Sequence, residues 1–137
     1  MESCQIKTDT GEEGGQEVVL LVDDEPGVLV FAAHSLRWLG YQVMEATNGR
    51  KALQLMAREG LSPGILVCDL VMPQMSGLNL ASQLRAEEHK ALKILFMSAY
   101  PDDAVDVLRQ FEAPVHLMQK PFTNHDLAQR VRGVLDS

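Results

Sequence analysis

From residue 18 onward the chain alternates short apolar runs with helix-length amphipathic segments, and that alternation leaves few folds open. The runs are VVLLV (18–22), YQVMEA (41–46), GILVCD (64–69), KILFMS (93–98) and VHLM (115–118). Each is short and nearly continuously apolar, the pattern of a strand buried on both faces in a parallel sheet. The segments between them, at about 26–39, 49–59, 77–88, 102–111 and 124–135, have helix length. Asn48, Ser76 and Thr123 stand where N-caps belong, and Thr123 is followed three residues later by Asp126 in an approximate capping box. Pro26 falls early in the first helix, where a missing N–H does little harm. Five βα units joined by right-handed crossovers predict an α/β fold built on a doubly wound five-stranded parallel sheet.

The rest of the chain fits one such unit. At 137 residues it is long enough for a single core without disulfides or structural metal. Residues 1–17, rich in Gly, Glu and Thr, read as a flexible N-terminal segment without the apolar stretch of a signal peptide, and residues 18–137 as the folded domain. No apolar run approaches the length that spans a bilayer, so a cytosolic (cytoplasmic) protein without membrane contact is expected. A net charge of −7 argues against nucleic-acid binding, which draws on Lys and Arg contacts to phosphates. Cys4 and Cys68 lie far apart with no CxxC pair, and Cys68, inside an apolar run, reads as a small buried hydrophobe.

In a doubly wound sheet the ligand crevice lies beyond the carboxyl ends of the strands. The polar residues of this chain gather there. The first strand runs into Asp23, Asp24 and Glu25, the third ends on Asp69, the fourth on Ser98, and the fifth is followed by Lys120 and Pro121. An aspartate that ends a buried strand is costly unless something neutralises it. Asp23, Asp24 and Asp69 around one lysine leave an excess of negative charge that a divalent cation would cancel. An oxygen-only donor set without Cys or His suits Mg²⁺ better than zinc. A carboxylate beside Mg²⁺, a lysine and a hydroxyl is equipped to attack phosphorus and hold an acyl phosphate.

The stretches LVDDEP, GYQVMEATNGRKAL, LVCDLVMPQMSG, ILFMSAY and LMQKPF, in this order and covering roughly residues 18–136, resemble the receiver domain of response regulators in two-component signalling. In the phrasing FMSAYPDD and QKPF the chain is most similar to receivers attached to hybrid histidine kinases. The resemblance implies a flavodoxin-like (βα)5 fold with strand order 2-1-3-4-5. It implies Asp69 as acceptor of a phosphoryl group from a phosphohistidine, with Mg²⁺ held by Asp24, Asp69 and the backbone carbonyl of Val71, and by Asp23 through water. Lys120 would pair with the phosphoryl oxygens, Ser98 would move in to hydrogen-bond them, and the Lys120–Pro121 bond would be cis. The implied partner is a histidine kinase or histidine phosphotransfer domain; homodimerisation is left open. With no segment after the last helix, output is expected through other proteins or through regions outside this chain.

Two departures from the family pattern matter. Leu117 stands where an aromatic switch residue is frequent, which weakens the expectation of coupling between Ser98 and an aromatic. Val71 and Tyr100, each two residues past a key position, predict slow self-hydrolysis of the phosphoryl group, because attacking water is poorly ordered there.

A magnesium-dependent phosphohydrolase would share the nucleophile and the metal, yet it generally needs a second carboxylate two residues past the nucleophile, where this chain has Val71. The chain is therefore read as a signalling module and not an enzyme, with at most weak self-phosphorylation and autodephosphorylation. A receiver-like module that has lost phosphorylation is disfavoured by the complete set Asp23, Asp24, Asp69, Ser98 and Lys120. His34, His89, His116 and His125 share no ligand spacing. The first helix is apolar on more than one face, from Val28 to Ala33, which is either ordinary scattered apolar surface or a docking patch for a helical histidine phosphotransfer domain or kinase. Glu at Leu29 or Val30 is expected to slow transfer without unfolding the domain.

Overall fold

The computed structural model describes residues 14–60, 62–86, 89–109, 111 and 114–137. The predicted alternation holds throughout. Strands β1 (Val18–Val22), β2 (Gln42–Ala46), β3 (Ile65–Asp69), β4 (Lys93–Ser98) and β5 (His116–Gln119) alternate with helices α1 (Pro26–Trp38), α2 (Gly49–Glu59), α3 (Gly77–Ala86), α4 (Pro101–Leu108) and α5 (Asn124–Leu135). All pairings are parallel and the strand order is 2-1-3-4-5, as the resemblance implied.

The side-chain period of a strand divides the core into two layers. Val19, Leu21, Ile65, Val67, Leu95 and Met97 face α1 and α5, where Leu36, Leu127 and Val131 meet them. Leu20, Val22, Leu66, Cys68, Ile94 and Phe96 face the other way, toward Ala52, Leu80 and Leu84 of α2 and α3. Every residue of β3 is buried, which explains why the sequence shows no polar alternation there.

The helix starts follow the local chemistry. Asn48 accepts from the Lys51 amide at 2.8 Å, Ser76 from the Asn79 amide at 3.2 Å, and Thr123 and Asp126 complete a reciprocal capping box. Gly60, at φ 68°, closes α2 in the left-handed conformation that glycine adopts without strain. Some boundaries move from the sequence expectation. The fourth helix covers 101–108 instead of 102–111, starting on Pro101, and the fifth strand is displaced by one residue to 116–119, where Ser98 pairs with Gln119. Of the third helix, expected to reach 88, the described part ends at Ala86 and 87–88 lie outside the described residues.

Most of the segment expected to be flexible, residues 1–13 with Cys4, lies outside the described residues. Residues 14–17 lie against the sheet and α5. The Glu17 carbonyl accepts from the Gln42 amide at 3.1 Å, extending the β1–β2 ladder. Arg132, near the end of α5, binds the Glu17 carboxylate through both terminal nitrogens, at 3.1 and 2.7 Å. It also reaches the Gly14 carbonyl, the Tyr41 hydroxyl and the Asp136 carboxylate. Among the described residues no helix is long and apolar enough to cross a membrane.

Candidate functional site

The sheet ladder runs one residue beyond several strand ends and so holds the first residue of each connecting loop in place. The Asp23 amide donates to the Ala46 carbonyl at 3.2 Å, the Leu70 amide to Met97 at 2.9 Å, and the Lys120 amide to Ser98 at 2.9 Å. Residues far apart in the chain are thereby delivered to one edge of the sheet. One carboxylate oxygen from each of Asp23, Asp24 and Asp69 lies within 4.8 Å of the others. Asp23 is fully buried and Asp69 nearly so at 7% exposed, while Asp24 is open to solvent.

Lys120 enters this cluster from the end of β5. Its Nζ lies 2.8 Å from Asp23 Oδ2, 2.9 Å from Glu25 Oε1 and 3.5 Å from Asp69 Oδ2. The Lys120–Pro121 bond is cis, as the resemblance implied. Asp23 Oδ1 accepts from the Glu25 amide at 2.9 Å, whereas Oδ2 has the ammonium close by but no directed hydrogen bond. A buried carboxylate oxygen left in that condition suits a cation.

The electrostatics show the same deficit. Burial pushes the Asp69 carboxyl up to about 6; Lys120 opposes the rise and the charges of Asp23 and Asp24 add to it. Burial works against the charge of Lys120, yet the carboxylates of Asp23 and Glu25 beside it overcome that and hold it above the ordinary lysine range. Cys68, fully buried in β3, donates its thiol to the Asp69 carbonyl at 3.2 Å. Burial, reinforced by Asp69 and Asp23, pushes that thiol well up, so it sits as the neutral hydrophobe expected of it.

Ser98 is buried at the end of β4, its hydroxyl accepting from the Tyr100 amide at 3.0 Å. Val71 and Tyr100 point outward, about three-quarters exposed, and with Leu70, Ser76, Leu78, Ser98 and Ala104 they line an open apolar cavity of about 300 Å³. The loop after β3 is held tightly from behind. The Gly77 amide donates to the Leu70 carbonyl at 2.9 Å, and a Cβ at Gly77 would meet the Asp69 carbonyl oxygen at 2.4 Å. Only glycine allows α3 to begin so close to the backbone at the end of β3. Gln74 in the same loop takes a left-handed φ of 71°.

Leu117 is half-buried against the α2–α4 layer of the core. Within the first helix one expectation is corrected. Leu29 is 6% exposed and packs into the core, whereas Val30 is 65% exposed and Phe31 39%, with the Phe31 ring 6.0 Å from that of Phe122. A run of six apolar residues does not reveal which of them face outward; the helical angle settles it, and Glu at Leu29 would break the core and not only a surface. His34 is exposed, and the metal-type cluster among the described residues contains no histidine.

Sequence reasoning missed Glu25 as a partner of Lys120. It directly follows the Asp23–Asp24 pair, and as the N-cap of α1 it makes no side-chain capping bond, its carboxylate turning to the lysine instead.

Comparison with known proteins agrees with this fold. The profile of the response regulator receiver domain matches residues 19–132. The chain is 37% identical over 89% of its length to the sensor kinase CckA of Brucella abortus, and 36% identical over 90% to the sensor histidine kinase TmoS of Ectopseudomonas mendocina. It spans only 13% and 12% of those two proteins. The Bacillus subtilis regulator PhoP, a transcriptional regulatory protein for alkaline phosphatase synthesis, is 29% identical over 85% of the chain. Among solved structures, the receiver domain of the hybrid histidine kinase CckA is 31% identical with a TM-score of 0.72, covering 86% of this chain and 98% of that one. A putative response regulator from Chloroflexus aurantiacus is 30% identical with a TM-score of 0.74, covering 90% of this chain and all of that one. With its five strands in the order 2-1-3-4-5, carboxylates at the ends of the first and third and a lysine past the fifth, the chain belongs to the response regulator receiver domain family of two-component signalling.

Proposed function

We propose that this receiver is a phosphoacceptor switch in which Asp69 takes a phosphoryl group from a phosphohistidine of a histidine kinase or histidine phosphotransfer domain. The observation that carries this reading is the meeting of Asp23, Asp24 and Asp69 in one cluster, with Lys120 against Asp23 and Asp69 and an Asp23 oxygen left without a directed bond. In the transfer an Asp69 oxygen forms the new O–P bond as the P–N bond to the donor imidazole breaks, and the imidazole leaves with the electron pair. Lys120 and the Ser98 hydroxyl hold the phosphoryl oxygens. The donor set fits Mg²⁺, held by Asp23, Asp24, Asp69 and the carbonyl of Val71, with Asp23 acting mainly through water. When bound, the ion neutralises the charge that gathers between attacking carboxylate and phosphoryl group.

Phosphorylation adds charge at Asp69, draws on Ser98 and Lys120, and biases the surface from β4 to α5 between two arrangements. Residues 18–137 form the switching unit. Val71 and Tyr100 leave attacking water poorly held, so the acyl phosphate is long-lived, and rapid loss of phosphate from purified protein would contradict this. The donor docks on Val30 and Phe31, beside the pocket: Val30→Glu should slow phosphotransfer without loss of fold, and unchanged transfer rates would remove the patch from consideration.

Intact mass after incubation with Mg²⁺ and acetyl phosphate tests the acceptor. A gain of one phosphoryl group that requires Mg²⁺ and is absent in Asp69→Asn supports it. A gain that survives Asp69→Asn would refute it.

A further inference from the structure

Lys120 has three N–H donors, and three carboxylates stand around them: Asp23 at 2.8 Å, Glu25 at 2.9 Å and Asp69 at 3.5 Å. Among the described contacts only that to Glu25 is a directed hydrogen bond, while Asp23 and Asp69 hold the ammonium as ion pairs, so a phosphoryl oxygen on Asp69 competes with these carboxylates for the ammonium. Asp23 is the least able to yield. It is fully buried, and its other oxygen is tied to the Glu25 amide. Asp69 is the residue that carries the phosphoryl group. Glu25 differs from both, because its side chain is 62% exposed and can return to water at little cost.

We propose that Glu25 is a positioning residue that holds Lys120 as a stand-in for the phosphoryl group and is displaced when Asp69 is phosphorylated. The inference rests on the reading of Asp69 as acceptor. In the resting protein the Glu25 carboxylate occupies the hydrogen bond that a phosphoryl oxygen later takes, which keeps the ammonium aimed into the site. A charge-assisted bond to phosphate is stronger than an exposed ion pair, so the exchange runs toward release once the O–P bond has formed. Release also changes the charge at the start of α1, since Glu25 is the N-cap residue and its backbone carbonyl accepts from the Leu29 amide at 3.1 Å. Loss of the acyl phosphate by hydrolysis, in which water oxygen attacks phosphorus and the Asp69 carboxylate leaves, restores the Glu25–Lys120 pair.

Glu25→Gln tests this beside Asp102→Asn, which removes a carboxylate from an exposed residue on α4. Phosphoryl uptake from acetyl phosphate is followed by intact mass, and the Lys120 side-chain nitrogen by NMR before and after addition of beryllofluoride. Glu25→Gln should raise the uptake rate about two- to fivefold, the range set by the worth of an exposed ion pair. It should also move the resting Lys120 signal toward its beryllofluoride-bound position, while Asp102→Asn does neither. Equal acceleration by Asp102→Asn would overturn the inference as a general charge effect. So would an unchanged Lys120 signal in Glu25→Gln, while uptake by the native protein at Asp69 leaves the acceptor reading standing. Absence of both uptake and beryllofluoride binding in all three proteins would defeat the acceptor reading, and the role of Glu25 with it.

Discussion

The two ends of the sheet each carry carboxylates arranged around one cation, and they have opposite electrostatic character. At the amino end Arg132 spreads its donors over Glu17, Asp136, Gly14 and Tyr41, and its bonds hold the Glu17 carboxyl below the usual range. At the carboxyl end a single ammonium serves Asp23, Glu25 and Asp69, and the Asp69 carboxyl is pushed up to about 6. A guanidinium suits the first arrangement because its planar fork pairs with a carboxylate through two bonds, whereas an ammonium is a point charge. One end is an ion network that holds the fold together. The other lacks positive charge and is suited to receive it.

This contrast can be broken at either end. The largest effect on stability is expected from Arg132→Ala, which strips partners from Glu17, Asp136 and Tyr41 and should cost about 1–3 kcal/mol in chemical unfolding. A smaller change of opposite sign is expected from Asp69→Asn in metal-free protein, a gain of about 1–2 kcal/mol from removing a desolvated charge. Destabilisation by Asp69→Asn would mean that the carboxyl end is as well satisfied as the amino end.

The two ends should also respond oppositely to pH. Folding raises the Asp69 pKa from 3.8 to about 6, so between those values the folded state holds a proton that the unfolded chain has lost. The Asp69 contribution to metal-free stability therefore falls as pH rises through that window, and Asp69→Asn should abolish the slope. The Glu17 pKa is lowered, so its contribution is present above the ordinary value of 4.5 and fades as pH falls through its folded value. Arg132→Ala should remove this acid-side loss, the smaller of the two effects because Glu17 is partly exposed. Urea unfolding of the native protein and both variants from pH 3.5 to 7 separates the two contributions.

Much of the carboxyl end was legible in the sequence because parallel topology places every strand terminus on one edge. Asp69 stood out as a charge ending a buried run, and Lys120 as a lysine just past the last strand. Glu25 did not, since its pairing depends on how the loop after β1 turns the side chain away from capping. Leu29 and Val30 could not be told apart, because consecutive apolar residues hide the facing of a helix. The Arg132–Glu17 link was invisible for a different reason: it joins the end of α5 to a Gly- and Glu-rich stretch whose composition resembles a flexible lead-in.

Thermal unfolding of native protein and Asp69→Asn at neutral pH, each with and without Mg²⁺, tests most directly the claim that the acidic edge is short of positive charge. Mg²⁺ should raise the Tm of the native protein, and Asp69→Asn should start higher without the ion and gain less from it. A native Tm indifferent to Mg²⁺, together with an Asp69→Asn protein no more stable than native, would contradict it.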